Sequence, residues 1–596
     1  MTKKFSLHSL IVLFVSATCL LTVENHETFA AVGNETINSG LSYVVLQPES
    51  RASFPSQIKN ENTIYEVRYA FNLKNTVVNM PPGCILVFRG GIIDNGVIIG
   101  DRTSIEAPLY RIFGDNLFLS GSWALSEAYP QWYGARGDGK TDDTEAIQHT
   151  LDNFLGIIRL PSGIYNVSKR IVIKDNRILE GVGSGTYLRE SGYTRISAIR
   201  PTTNFSGDCV LSFDPANSSS GASYITGATC RRLLLDCYNI RNKGITIIKI
   251  LSLTNPETFE NIRIINNNSN VRLRVGRSSN KASFESDGLV FSNVVFLDGG
   301  AYNNRVPCAI LGPCNEVSFR DCKFMPASRS TVSGSNAVLI DASQLDNKSR
   351  AAQGIVFDNC SFTASENALI IKGNKTDGNG PRNVLVTGCT FENVTNAIYV
   401  YSSDPHNKPV QFCTFLGNRV HTNGQGTTYL LGAGACNNEI FPLDNQTVEC
   451  KEGTNSNFVF GGTSSHFIDK GVNNISVSRN SEGLTLSSVH QEPWVIPKLL
   501  NGWANASPNN RTTAAYRKTQ DGKLELRGYL KSGNWKYPNN QLFVLSAECR
   551  PKTSKVITVG GERGKICTLE LLNSGQVLVY GEGSLLLLDG VYVPLD

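Results

Sequence analysis

The chain has 596 residues, a formal net charge of +5, 18% charged and 40% hydrophobic residues, with 54 Gly and 15 Cys. That length holds several domains or one elongated repeat body. The slight positive excess carries no long basic run and calls for no nucleic acid.

The chain opens as a targeting segment. Lys3 and Lys4 precede an apolar stretch from Leu10 to Val23, and "TFA" ends at Ala30. This pattern predicts a signal peptide over 1–30 and export, to the medium, the periplasm or the cell surface. The apolar run is too short for a membrane anchor, and no other segment calls for an integral membrane span. Cys19 follows "VSAT" and matches a lipoprotein site only weakly. Residues 31–129 then alternate in short strands, as in "FRGGIIDNGVIIGDRTSIEAPLYRIF", which predicts extra coils or a cap.

A helix is predicted in "WYGARGDGKTDDTEAIQHTLDNF" (132–154). Asp142 followed by Glu145 is a start signal, and Ile147, Leu151, Phe154 and Leu155 form an apolar stripe. Strands follow, with Pro161-Ser162-Gly163 as a turn.

From there a template recurs: apolar, x, apolar, x, x, Cys or apolar, x, Phe. It reads "VSFRDCKF" from Val317, "IVFDNCSF" from Ile355 and "VLVTGCTF" from Val384. Copies end at Leu235, Ile264, Phe296, Phe324, Phe362, Phe391 and Phe415, at steps of 24 to 38 residues. Alternation at period two means strands, and a constant strand with variable steps means a solenoid. A second strand follows each copy: "SNAVLID", "ENALIIKG" and "TNAIYVYS". Short parallel strands stacked coil on coil make a parallel β-helix, rising ~4.8 Å per coil. Cys322, Cys360, Cys389 and Cys413 are placed on one inward column, as small buried hydrophobes or as disulfides between coils.

"GARGDGKTDDTEAIQ", "LPSGIY" and "EGVGSGT" resemble the opening of the pectate-lyase-like superfamily. That group holds polygalacturonase- and rhamnogalacturonase-like enzymes and phage tailspikes. The resemblance implies an all-β fold, a right-handed parallel β-helix over 130–490 whose end is capped by a helix. Asp138, Asp142 and Asp143 are then structural. It also implies a polysaccharide partner held along an outer face. From about Trp494 the alternation changes, and Asp521-Gly522 marks a hairpin. Tyr516-Arg517-Lys518 and Leu526-Arg527-Gly528 resemble C-terminal β-domains of phage tail proteins. Residues 495–596 are therefore read as a small antiparallel domain for attachment or assembly, with a homotrimer as the expected oligomer.

The paired aspartates of polygalacturonase-like members are absent, because "ENALIIK" carries Asn367 there. The Asn residues of these turns are read as a structural ladder bonding backbone from coil to coil. Strand alternation turns Asp341, Tyr399 and Tyr401 outward as substrate contacts. Lys372, Asp377, Asp404 and His406 are the candidate catalytic residues. A Lys or Tyr of lowered pKa can remove the proton beside a uronate carboxylate. Asp377 and Asp404 suit Ca²⁺ or acid–base work, and the metal stays unassigned. Two functions are carried forward: an exported polysaccharide lyase or glycoside hydrolase, and a non-catalytic carbohydrate-binding adhesin.

Overall fold

The structure is a computed structural model. It describes residues 41–595 except 186–195, 216–223, 241–242, 255–257, 266–269, 277–284, 298–305, 327–333, 342–351, 374–379, 407–408, 423–425, 444, 462–465, 481–482, 489–493, 507–512 and 520–522. The signal segment, Cys19, Asp377 and the Asp521-Gly522 turn lie outside the described residues.

Parallel strand pairing dominates up to about residue 480. One sheet runs through fourteen strands from Glu127–Ala128 to Gly483–Ser488, parallel except for its last pair. Its inward column of Phe259, Phe291, Phe319 and Phe357 stacks ring on ring at 5.0, 4.9 and 5.0 Å. A second column, Phe296, Phe324, Phe362 and Phe391, stacks at 4.9, 5.0 and 4.7 Å. These spacings match the rise between coils, so each coil sets its aromatic ring onto the one below. The repeat read from the sequence is this parallel β-helix.

One copy of the repeat is displaced. Phe415 pairs with Val386 and Val420 pairs with Phe391, so "FCTF" lies in the preceding strand of its coil. Cys413 therefore sits above Val384, not above Cys389. The letters of the motif recur, but the register follows the coil's own turn and shifts the column. Cys322, Cys360 and Cys389 do stack, with the Cys360 amide donating to Cys389 Sγ at 3.4 Å. All described cysteines are free, and all but Cys436 are buried. The column is thus filled by small apolar thiols, with no disulfide among the described residues.

The Asn-Ala strands align as expected: Asn336, Asn367 and Asn396 are mutual neighbours in register. Their amides bond one another more than backbone. Asn396 Nδ2 donates to Asn367 Oδ1 at 2.8 Å, and Asn367 Nδ2 to Asn336 Oδ1 at 3.2 Å. A buried ladder of Asn438, Asn457 and Asn474 does the same nearer the C-terminal end, at 2.9 Å per step. There Asn457 and Asn474 Oδ1 also accept the backbone N–H of the Asn one coil earlier, and Asn438 Oδ1 that of Cys413.

The capping helix spans Thr144–Asn153, one residue later than Asp142-first capping would place it. Ile147, Leu151 and Phe154 are buried, whereas Leu155 is 67% exposed because the helix has already ended. Asp143 is fully buried and accepts from the N–H groups of Arg136 (2.8 Å) and Gly137 (3.1 Å). Asp138 accepts from Lys140 and Thr141 N–H, which bring its carboxyl down to about 2. These aspartates tie the loop, as the family resemblance implied. The helix is itself covered: strands Thr63–Val67, Ile85–Phe88 and Ile92–Glu106 pair in parallel ahead of it. Phe113 of that segment packs on Phe154, and Leu119 N–H donates to Asn153.

The last hundred residues form antiparallel sheets of seven and three strands. The motif that stood out in sequence now has a physical role. Trp494 is sandwiched between the guanidinium groups of Arg517 (4.2 Å) and Arg527 (4.1 Å). Gly528 has φ +116°, and a Cβ there would meet the Ala514 backbone at 2.4 Å. Tyr516 stacks on Phe543 and accepts the Ser546 N–H.

Candidate functional site

The strand Thr390–Ser402 carries the centre of the site. Its inward residues Ile398 and Val400 are buried, and its outward residues Tyr399 and Tyr401 are half-buried. Residues two apart on a strand share a face. The two rings lean together and stack at 4.5 Å with 25° between planes. Beneath them the next coil supplies Gly432, where a Cβ would meet Tyr401 Cβ at 3.0 Å and the Tyr399 ring at 3.4 Å. Gly432 thus clears the floor on which the tyrosines lie, a residue the strand pattern alone did not single out.

On the other side Lys372 is the register neighbour of Tyr401. Its Nζ reaches Asp341 Oδ2 at 3.2 Å. The outward reading of Asp341 as an exposed substrate contact is corrected here: its side chain is 1% exposed, against 26% for Lys372. Strand alternation gives direction but not cover, and the carboxylate lies beneath the lysine rather than in solvent. Ile370, outward by the same rule, is also 7% exposed. The face is therefore not a bare groove along its whole length.

Asp404 and His406 follow the strand in the next turn, half-buried and exposed respectively. Asp404 N–H donates to Ser402 Oγ at 3.1 Å. The structure thus gathers Asp341, Lys372, Tyr399 and Tyr401 on neighbouring coils and sets Asp404 and His406 at the edge. Asp377 is outside the described residues. Among the described residues no group of three or more His, Cys, Asp or Glu is placed to hold a metal ion. Of the suggested Ca²⁺ pair only Asp404 is among the described residues.

The electrostatics bear on chemistry. Burial pushes the Tyr399 phenol up, and Tyr401 beside it adds to the rise. A lyase base needs the opposite direction. To act as a base Lys372 would first have to be neutral, which would leave the buried Asp341 carboxylate without its cation, at a cost in desolvation energy. The turn Asn residues, where a carboxylate pair would stand, bond one another.

Comparison with known proteins agrees with the opening segment of the β-helix. Residues 131–325 match the family described as rhamnogalacturonase A/epimerase, pectate lyase-like. This pectate-lyase-like stretch ends before Asp341, so it contains none of the candidate site residues. Alginate lyase 7 of Azotobacter vinelandii is 44% identical over 64 residues, which cover 9% of this chain and 8% of that protein. Among solved structures, the A-module of the mannuronan C-5 epimerase AlgE6 of Azotobacter vinelandii aligns at 17% identity and a TM-score of 0.35, covering 59% of this chain and 99% of that one. The tailspike gp49 of the Acinetobacter baumannii bacteriophage Fri1, a capsular polysaccharide depolymerase, aligns at 14% identity and a TM-score of 0.36, covering 78% and 87%. Identities and scores of this size transfer no chemistry to individual residues. Among the described residues no helix is long and apolar enough to cross a membrane.

Proposed function

We propose that this chain acts on a polysaccharide, which it holds on the outer face of the β-helix at Tyr399 and Tyr401. The stacked pair carries the reading. Two aromatic faces, half-open to solvent and backed by a glycine, suit the apolar face of a sugar ring. Lys372 at their side offers an ammonium to a sugar carboxylate or hydroxyl.

Turnover, as a lyase or glycoside hydrolase, is supported by the match over 131–325 and by the short stretch shared with an alginate lyase. The adhesin reading shares the same site and draws on the absent carboxylate pair and the raised Tyr399 phenol. The basic, then apolar, then small-residue pattern up to Ala30 supports export to the surface or beyond. The antiparallel C-terminal domain supports attachment or a homotrimer, which sizing with and without residues 495–596 tests.

The deciding experiment is a titration of Tyr399→Ala/Tyr401→Ala and wild type against pectin, alginate and β-glucan, with ultraviolet and reducing-end assays of the products. Binding about tenfold weaker in the double variant, with an unchanged melting temperature, is the expected result; tenfold corresponds to about 1.4 kcal/mol. New unsaturated ends would assign a lyase, new reducing ends alone a hydrolase, and binding without either the adhesin. Equal binding by both proteins would move the site elsewhere.

A further inference from the structure

A polar cleft lies against the capping helix. Gln148 and Asp152 on the helix, Lys169, Arg170 and Lys174 on the strand Gly163–Val172 and just after it, and Asp208 line a cleft of about 560 Å³. Gln148 clips the helix to the strand: its Oε1 accepts the Val172 N–H at 2.9 Å, and its Nε2 donates to the Val172 carbonyl at 3.2 Å. Consecutive residues of a regular strand point to opposite sides. Lys169 and Arg170 reach the same cleft because the pairing is irregular on both sides of Lys169.

The ionic contacts form three separate groups. Lys174 bonds Asp152 at 2.7 Å, Arg170 bonds Asp208 at 2.9 Å, and Lys249 on the next coil bonds the other oxygen of Asp208 at 2.7 Å. Lys169 reaches Glu145 at 2.9 Å. Among the residues that line the cleft, Lys169, Arg170 and Lys174 stand against Asp152 and Asp208, one positive charge in excess. Partial burial would raise the Asp208 carboxyl, but Lys249 and Arg170 bring it down to about 2.

The cleft and the tyrosine pair stand on one face. Val172, which lines the cleft, is in register with Ser212, then Lys249, Arg274, Ile310, Leu339, Ile370 and Tyr399. Seven coil steps at ~4.8 Å put ~34 Å between them. The intervening Ile310 and Ile370 are covered, at 5% and 7% exposure, so the two ends are separate stations and not one trough.

We propose that the cleft at the capping helix is a second station for a negatively charged polysaccharide, so that one long chain engages it and the tyrosine pair together. This rests on the proposed function and adds the charge class of its substrate. A short oligosaccharide occupies one station. A polymer longer than ~34 Å occupies both, and the second contact becomes intramolecular.

The test uses the full chain with polygalacturonate, alginate and chondroitin sulfate, each as polymer and as trisaccharide, and with dextran as the neutral control. Wild type should bind the matching polyanion at least tenfold tighter than its trisaccharide, and salt at about 0.5 M should abolish that advantage by screening. Arg170→Gln/Lys174→Gln should lose the tenfold advantage and bind the trisaccharide as wild type does, with trisaccharide binding serving as the check on folding. A polymer advantage that persists in the variant or in salt overturns the second station, as does equal binding of dextran. A wild type that binds none of the three polyanions but binds dextran overturns the charge class alone. A wild type that binds nothing overturns the proposed function as well.

Discussion

Two aromatic stacks distinguish the inside of this β-helix from its outside. Phe296, Phe324, Phe362 and Phe391 stack along the axis, one ring per coil, at spacings of 4.9, 5.0 and 4.7 Å. Tyr399 and Tyr401 stack within one strand, side by side, at 4.5 Å. The first stack is imposed by the coil rise and recurs wherever the template does. The second is imposed by nothing in the repeat: the equivalent residues one coil earlier are Ile370 and Lys372. An arrangement that the architecture does not require is where a function is best sought, and the proposed function therefore assigns stability to the inner stack and recognition to the outer pair.

The comparison breaks most sharply at the inner stack. Phe362→Ala removes a fully buried ring between two stacked partners and is expected to cost about 3–5 kcal/mol, read as a lower thermal midpoint. Polysaccharide binding well below that midpoint should not change. A loss of binding at low temperature would show that the two stacks are coupled.

The next effect lies at the cap. Burial raises the Asp143 carboxyl from 3.8 to about 6, against the pull of the two N–H groups it accepts from. A carboxyl raised in the folded state stabilises fully below its unfolded pKa, and that contribution is lost as pH rises through about 6. Two pH units correspond to about 3 kcal/mol. The stability of wild type relative to Asp143→Asn should therefore fall between pH 4 and 6 and be flat above 7. A difference that rises with pH would reverse the assignment.

Lys372→Ala is expected to cost about 2 kcal/mol, because it leaves the Asp341 carboxylate buried without its ammonium partner. It is thus no clean probe of catalysis. Lys372→Arg should restore the melting temperature. If Lys372→Ala melts as wild type does, the ion pair contributes nothing to stability.

Much of the fold was legible from residues alone. Period-two alternation, Cys-x-Phe and Asn-Ala at a recurring interval determine a stack of parallel coils, because each inward position must meet its own copy one rise away. The inward column of Cys322, Cys360 and Cys389 follows, but the sequence left thiol or disulfide open, and the structure shows them free. The helix stripe was legible through Phe154 but its bounds were not: the start is fixed by loop bonds to Asp142 and Asp143 rather than by a capping box, and the end at Asn153 leaves Leu155 exposed.

Register and cover were decided only by the tertiary structure. "FCTF" spells the template yet stands one strand early, because the length of each turn, and not the motif, sets which column a residue joins. Asp341 alternates outward yet is buried, since direction is local while exposure depends on everything packed over it. The cleft at the capping helix joins residues 148 to 208 across a helix, a strand and the next coil, and its charge balance exists only once those three are brought together.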